Sequence, residues 1–223
     1  MMKAAIIVAG GTGTRMNSPN PKQFILLKGI PVVMHSLFAF SRFDESMQLL
    51  LTLPEHLFDR WQEIQKEHGW SIPHILVPGG ETRFHSVRNC LHHLDSTGLV
   101  AIHDGARPLL SQSLINRLFL AAEKEGNAIP VVPVNESIRQ AEGATNKPAD
   151  RSLFRIVQTP QVFQTSLIQQ AYLQPYQPGF TDDATVLESI GKPIHLVEGD
   201  PANLKITYPA DLLIAASLIH SGS

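Results

Sequence analysis

The stretch Gly10-Gly11-Thr12-Gly13-Thr14-Arg15-Met16 sets conformationally free residues beside a cation, and Lys22 follows after Pro21. Amides of a glycine loop can approach an anion closely, and two cations bracketing such a loop suit a polyphosphate. The loop is not a Walker A motif, because no Gly-Lys-Ser/Thr closes it. Nor is it the dinucleotide fingerprint, because Met16 stands where the third glycine should be. Asn17-Ser18-Pro19-Asn20-Pro21 breaks the chain before a helix could start, which excludes a pyrophosphate seated on a helix N-terminus directly after the loop. Three further stretches combine a cation with small or polar residues: Gly79-Gly80-Glu81-Thr82-Arg83 with Ser86, His103-Asp104-Gly105-Ala106-Arg107-Pro108, and Asn203-Leu204-Lys205-Ile206-Thr207. Asp104 and Asp200 could meet Mg²⁺, although a turn role is expected for Asp200. The ten histidines show no HExxH spacing, and there is no Gly-x-Ser-x-Gly elbow, so zinc-protease and acyl-enzyme chemistry are not indicated. Cys90 is expected to be a small buried hydrophobe rather than a nucleophile.

The elements that must position these loops alternate along the chain. Residues 3–9 read as a strand buried on both faces, ending at Gly10-Gly11. A buried helix follows from Pro31, a strand over 47–54, a helix over 56–68 closed by Gly69, and a strand over 74–77 running into Pro78-Gly79-Gly80. Thr82 caps a helix through Leu94, Leu99 to His103 is a strand entering Asp104-Gly105, and Ser111 caps a helix that stops at Gly126. This repetition predicts a doubly wound α/β fold with a mostly parallel sheet, all four loops lying at the edge where such sheets bind ligands. After Pro133 the pattern changes. Residues 134–157 hold two extended runs, VNESIRQ and SLFRIV, around the turn-rich GATNKPAD, which predicts a projecting β-arm within a single domain spanning 1–223. Helices are expected again at 165–173, 182–190 and 211–219, with a strand at 193–197.

Composition agrees with a packed domain. The 43% apolar against 17% charged residues exclude disorder, and the chain is long enough to bury most of its unfolded surface in one core. No apolar run approaches the length of a membrane span, and one cysteine cannot form an internal disulfide, so a cytoplasmic protein is expected. With net charge −2, no global field recruits nucleic acid; any anion site must be local.

AGGTGTRM followed by PKQF, then GGETR with Ser86, HDGARP, QTPQ, FTDDA and VEGDPANLKIT, in that order, resembles the cytidylyltransferases that act on 2-C-methyl-D-erythritol 4-phosphate in the non-mevalonate route to isoprenoids. The resemblance runs from Ala4 to about Asp211 and implies a Rossmann-like nucleotidyltransferase fold. It implies that Ala9, Gly10, Gly11, Gly13, Gly80, Glu81 and Ser86 hold the cytidine. Arg15, Lys22 and Lys205 would act on the triphosphate and its transition state, and Asp104, Arg107, Ser137, Arg151, Thr159 and Thr181 would hold the acceptor. Glu81 stands where the family often has aspartate, Ser137 where it often has threonine, and Arg139 where it often has lysine.

The implied reaction is attack by an acceptor phosphate oxygen on the α-phosphorus of CTP, with pyrophosphate leaving. A phosphate monoester is already largely ionised at neutral pH, so no general base is required; cations and Mg²⁺ must offset the charge. The alternatives are transfer to another polyol phosphate such as ribitol 5-phosphate and a non-catalytic nucleotide-sensing module. The ligands expected are therefore CTP and a polyol phosphate. A two-stranded arm is marginal alone, so it is expected to pack on a symmetric partner in a homodimer.

Overall fold

A computed structural model describes residues 1–11, 16 and 21–219. Strand β1 (Lys3–Val8) leads, through the glycine loop, to a short hairpin of β2 (Leu26–Leu27) and β3 (Ile30–Pro31). There follow α1 (Val32–Phe43), β4 (Gln48–Leu53), α2 (Phe58–Glu67), β5 (Ile75–Pro78), α3 (Arg83–Leu91), β6 (Leu99–Asp104) and α4 (Gln112–Glu125). The helix starts follow the capping residues: Thr82 accepts the His85 N–H and Ser111 accepts that of Leu114. Gly126, at φ 84°, takes the left-handed conformation that ends α4.

Four strands in the order β5-β4-β1-β6 pair in parallel. The chain moves outward from β1 to β4 and β5, then returns to the other side of β1 as β6. The strand order therefore reverses between β1 and β6, which is where open α/β sheets leave a ligand crevice. Alternation along β1 serves two layers. Ala5 and Ile7 join a core with α1, α2 and α4, while Ala4 and Ile6 join one with α3 and α5. Burying side chains of this size contributes roughly 1.5–3 kcal/mol each for the larger ones. The expected doubly wound, mostly parallel sheet is the observed one.

The remaining elements are β7 (Asn127–Pro133), β8 (Ile138–Glu142), β9 (Thr145–Ala149), β10 (Arg155–Val157), β11 (Gln161–Gln164), α5 (Thr165–Ala171), α6 (Asp183–Glu188), β12 (Leu196–Glu198) and α7 (Pro209–Leu218). Strand β11 inserts antiparallel between β6 and β7, and β7 also pairs with β10 and β12. The 134–157 arm differs from the expected pairing. Its hairpin is β8 with β9, so the stretch read as turn is itself a strand, whereas Arg155–Val157 returns to the main sheet and pairs with β7. Both hairpin strands are largely solvent-exposed, so neither carries the alternation that marks a half-buried strand. Pro148 is tolerated because a two-stranded ribbon has only edges.

Candidate active site

The loops after β1, β5 and β6 converge at the predicted edge of the sheet. One pocket there is lined by Ala9, Gly10, Gly11, Lys22, Gly80, Glu81, Arg83, Ser86, Asp104 and Lys205, among others. Register explains part of this: Val8 and Asp104 are paired neighbours at the ends of β1 and β6, so the glycine loop departs beside the Asp104 carboxylate. Tight packing explains two of the glycines. A Cβ on Gly80 would fall 2.3 Å from the His85 Cβ, and one on Gly105 would press on Ile7, Ala9 and Val33. Gly11 lies in ordinary contact range of the Lys22 side chain, a Cβ there falling 3.7 Å from the ammonium nitrogen. Ser86 accepts the Gly80 N–H and donates to the Thr82 carbonyl, both at 3.0 Å, which pins the second glycine loop to the first turn of α3.

Asp104 is the electrostatic centre. Its Oδ2 lies 2.7 Å from Lys205 Nζ and its Oδ1 3.3 Å from Arg83 Nε. Burial alone would raise its pKa, but the charges of Arg83 and Lys205, with Arg107 behind, outweigh that and hold the carboxyl well below the usual range. Arg83 in turn grips the buried Asp183 with Nη1 and Nη2 at 2.8 and 2.7 Å. Burial opposes the charged guanidinium, but the two carboxylates reverse this and raise its pKa further. His103 is buried, and burial pushes its pKa down to about 4, so the ring is neutral at pH 7. Its Nε2 donates to the Arg107 carbonyl at 3.1 Å, which leaves Nδ1 to accept the Thr159 hydroxyl at 3.2 Å.

Lys205 reaches the pocket from an irregular segment held on both sides. Asn203 Nδ2 donates to the Thr159 carbonyl, and Ile206 N–H to the Ala106 carbonyl. The QTPQ segment supplies further anchors: Gln158 brackets the Asp200 backbone through both its amide atoms, and Gln161 accepts the Ala184 N–H and donates to Asp182. Asp200 accepts from Ala202 N–H and Ser111, the expected turn role.

Of the residues singled out in the sequence, Ala9, Gly10, Gly11, Lys22, Gly80, Glu81, Ser86, Asp104 and Lys205 share this pocket. Gly13 and Arg15 lie outside the described residues. Arg107 and Thr159 are buried behind Asp104; Arg107 donates to the Asn203 carbonyl at 2.7 Å. Ser137, Arg151 and Thr181 are exposed and do not line the pocket, and Arg151 donates to the Asn135 carbonyl. Arg83 carries no individual role in the sequence-based reading, although it sits in the GGETR loop; its partner Asp183 is distant in sequence, so no local spacing marks the pair. Cys90 is buried, and burial raises its thiol to about 12, so it is no nucleophile.

Fold and pocket define an α/β protein that gathers glycine loops and lysines at its topological switch point, a layout suited to a phosphorylated nucleotide. The profile of the 2-C-methyl-D-erythritol 4-phosphate cytidylyltransferase family matches residues 3–221. The enzymes so named from Bacteroides fragilis and Porphyromonas gingivalis are 48% and 44% identical to this chain, over 98% and 97% of it and 100% and 97% of their own lengths. The crystal structure of the Thermus thermophilus enzyme of that name is 31% identical and superimposes with a TM-score of 0.77, covering 98% of each chain. This chain belongs to the 2-C-methyl-D-erythritol 4-phosphate cytidylyltransferase family.

Proposed function

We propose that this chain transfers the cytidylyl group of CTP to the phosphate of 2-C-methyl-D-erythritol 4-phosphate, forming 4-diphosphocytidyl-2-C-methyl-D-erythritol. An acceptor phosphate oxygen bonds to the α-phosphorus as the bond to pyrophosphate breaks. The carrying observation is the convergence of Lys22, Lys205 and Asp104 with two glycine loops in one pocket, in a chain of this family. With its second pKa near ~6, the acceptor phosphate is mostly ionised at pH 7 and needs no base, which fits a His103 that is buried and neutral. What remains for the protein is alignment and charge compensation, the usual demands of phosphoryl chemistry.

In this reading Ala9, Gly10, Gly11, Gly80, Glu81 and Ser86 cradle the cytidine, and Lys22 and Lys205 offset charge at the α-phosphate. Arg15 and Gly13 join them from the segment outside the described residues. On the acceptor side, Asp104 faces the pocket and Arg107 and Thr159 support it from behind. A divalent cation fits the donor set: Mg²⁺ takes one or two carboxylates plus substrate phosphates, and Asp104 and Glu81 are carboxylates in the wall. Among the described residues no three His, Cys, Asp or Glu side chains cluster as a metal cage, and both Asp104 oxygens already face cations, so the ion would be carried chiefly by the triphosphate. When bound it would neutralise phosphate charge.

The arm supports a homodimer as part of the same reading. Its strands expose both faces, and the apolar Leu153, Phe154, Ile156 and Val157 that follow are exposed as well. Covering this surface with a symmetric partner would carry Ser137 and Arg151 toward the partner's pocket. A cytoplasmic location accords with phosphorylated substrates and a lone buried thiol.

The test is pyrophosphate release with CTP, UTP, ATP or GTP against methylerythritol 4-phosphate and ribitol 5-phosphate. CTP with methylerythritol phosphate should give the highest kcat/KM. A higher value with ribitol 5-phosphate would overturn the acceptor assignment, and no turnover with any pair would overturn the enzymatic one.

A further inference from the structure

The pocket wall contains an alternating chain of charge assembled from distant parts of the sequence. Asp183 opens α6, Arg83 opens α3, Asp104 closes β6, and Lys205 rides on the segment before α7. Successive members touch: 2.7 and 2.8 Å between Asp183 and Arg83, 3.3 Å between Arg83 and Asp104, and 2.7 Å between Asp104 and Lys205. Asp183 is fully buried and also accepts the Tyr172 hydroxyl at 2.6 Å, so its carboxylate is fixed from two directions.

The guanidinium is committed in a directional way. Its Nη1 and Nη2 form a fork on Asp183, which sets the plane of the group, and the remaining Nε–H then points at Asp104 Oδ1. With that oxygen held, Oδ2 is left for Lys205. The position of the Lys205 ammonium over the pocket is thus set by a carboxylate whose own orientation is set by Arg83. A lysine side chain is long and flexible, and without such an anchor its ammonium would spread over many rotamers.

We propose that Arg83 is a positioning residue for the transfer reaction, acting through Asp104 to place the Lys205 ammonium. The proposal rests on the reading of Lys205 as a residue that stabilises charge at the α-phosphate. Arg83 orders the site before substrate arrives, and Asp183 serves as the buried counter-charge that makes an arginine tolerable there. Misplacing a charge-stabilising group by about 1 Å can cost ~10²-fold in rate, so loss of Arg83 should lower kcat far more than it raises the KM for CTP.

Removing Arg83 alone leaves Asp183 as an uncompensated buried charge, so a simple variant would confuse folding with function. The decisive protein is Arg83→Met combined with Asp183→Asn, which removes both charges while the asparagine oxygen still accepts from Tyr172. Its melting temperature should approach wild type while kcat falls about 10²-fold and the KM for CTP changes little. Arg83→Lys, which keeps a charge but cannot fork Asp183 and reach Asp104 together, should lose kcat by a smaller factor. In a Lys205→Ala background the double change should reduce kcat little further, because the group that it positions is gone.

Wild-type kcat in either the double variant or Arg83→Lys would overturn the positioning role, as would full multiplication of the two effects in the Lys205→Ala background. A selective rise in KM would show instead that Arg83 holds the nucleotide itself. If Lys205→Ala alone keeps near-normal kcat, the reading of Lys205 fails and takes this proposal with it; if Lys205→Ala is crippled while the double variant is not, only the role of Arg83 fails.

Discussion

The hydroxyl of Thr159 accepts the backbone N–H of Asp104 at 3.0 Å while it donates to His103 Nδ1. Asp104 is therefore held by its backbone through Thr159 and by its side chain through Arg83 and Lys205. Family resemblance assigns Thr159 to the acceptor, but the observed hydrogen bonds give it a second task, that of fixing the end of β6. Thr159→Ser keeps the hydroxyl and should keep both stability and turnover. Thr159→Val leaves the buried Asp104 N–H and His103 Nδ1 without partners and should cost about 1–3 kcal/mol. Urea unfolding beside steady-state kinetics checks this; a valine variant as stable as wild type would refute it.

Lys22 leans on Gly11 at the mouth of the glycine loop. Taking away one preorganised donor of this kind typically costs ~10²–10³-fold in kcat, about 2.7–4 kcal/mol. Lys22→Ala should fold normally, because its ammonium is not part of a core, and should turn over that much more slowly in a pyrophosphate-release assay. Near-normal kcat would remove Lys22 from the mechanism.

His103 makes acid stability a second readout. Its folded pKa is lowered from 6.5 to about 4, so between those values the unfolded chain binds a proton that the folded chain refuses. Stability from this group is intact above pH 6.5 and falls as the pH drops toward 4, by about 3 kcal/mol at most. Asp104 acts in the adjoining window: its lowered pKa contributes stability present above 3.8 and lost as the pH falls below that. The stability gap between wild type and His103→Gln should therefore narrow from pH 7 to pH 4.5. A gap that does not change with pH would show that His103 titrates normally.

The arm can be tested by complementation. Lys22→Ala and Arg151→Ala homodimers should each be poorly active, since each damages both of its sites. In a mixed dimer, the intact pocket of the Arg151→Ala chain would meet the intact arm of the Lys22→Ala chain. Co-refolding should then restore activity; tagged mixed dimers without recovery would mean that Arg151 serves the pocket of its own chain.

Much of the fold was legible because the buried parallel strands are short, largely apolar runs soon followed by glycine or proline, and two of the helices carry capping residues. Thr82, Ser111 and Gly126 mark real helix ends. Strands β7 and β11 left no such trace. Asn127–Pro133 carries prolines at 130 and 133, and Gln161–Gln164 begins and ends in glutamine, so neither looks like the interior of a sheet. Gln161 is nonetheless buried because its side chain bonds to Asp182 and Ala184 across the fold. The arm was misaligned for the opposite reason: exposed strands have no burial pattern to read.

For the site, the sequence by itself determined the loops, their glycines and the lysines, because an anion-binding loop needs small residues and nearby cations within a few positions. The alternation of strand and helix indicated a mostly parallel sheet with these loops at the edge where such sheets bind ligands, but not the order of its strands. Only the tertiary structure decided how the charges are paired. Arg83 with Asp183, Asp104 with Lys205 and Thr159 with Asp104 join residues far apart in the chain, and such pairings depend on strand register and helix packing rather than on local spacing. Asp104 is thereby kept ionised and held in place despite its burial, because three separate segments bring their partners to it.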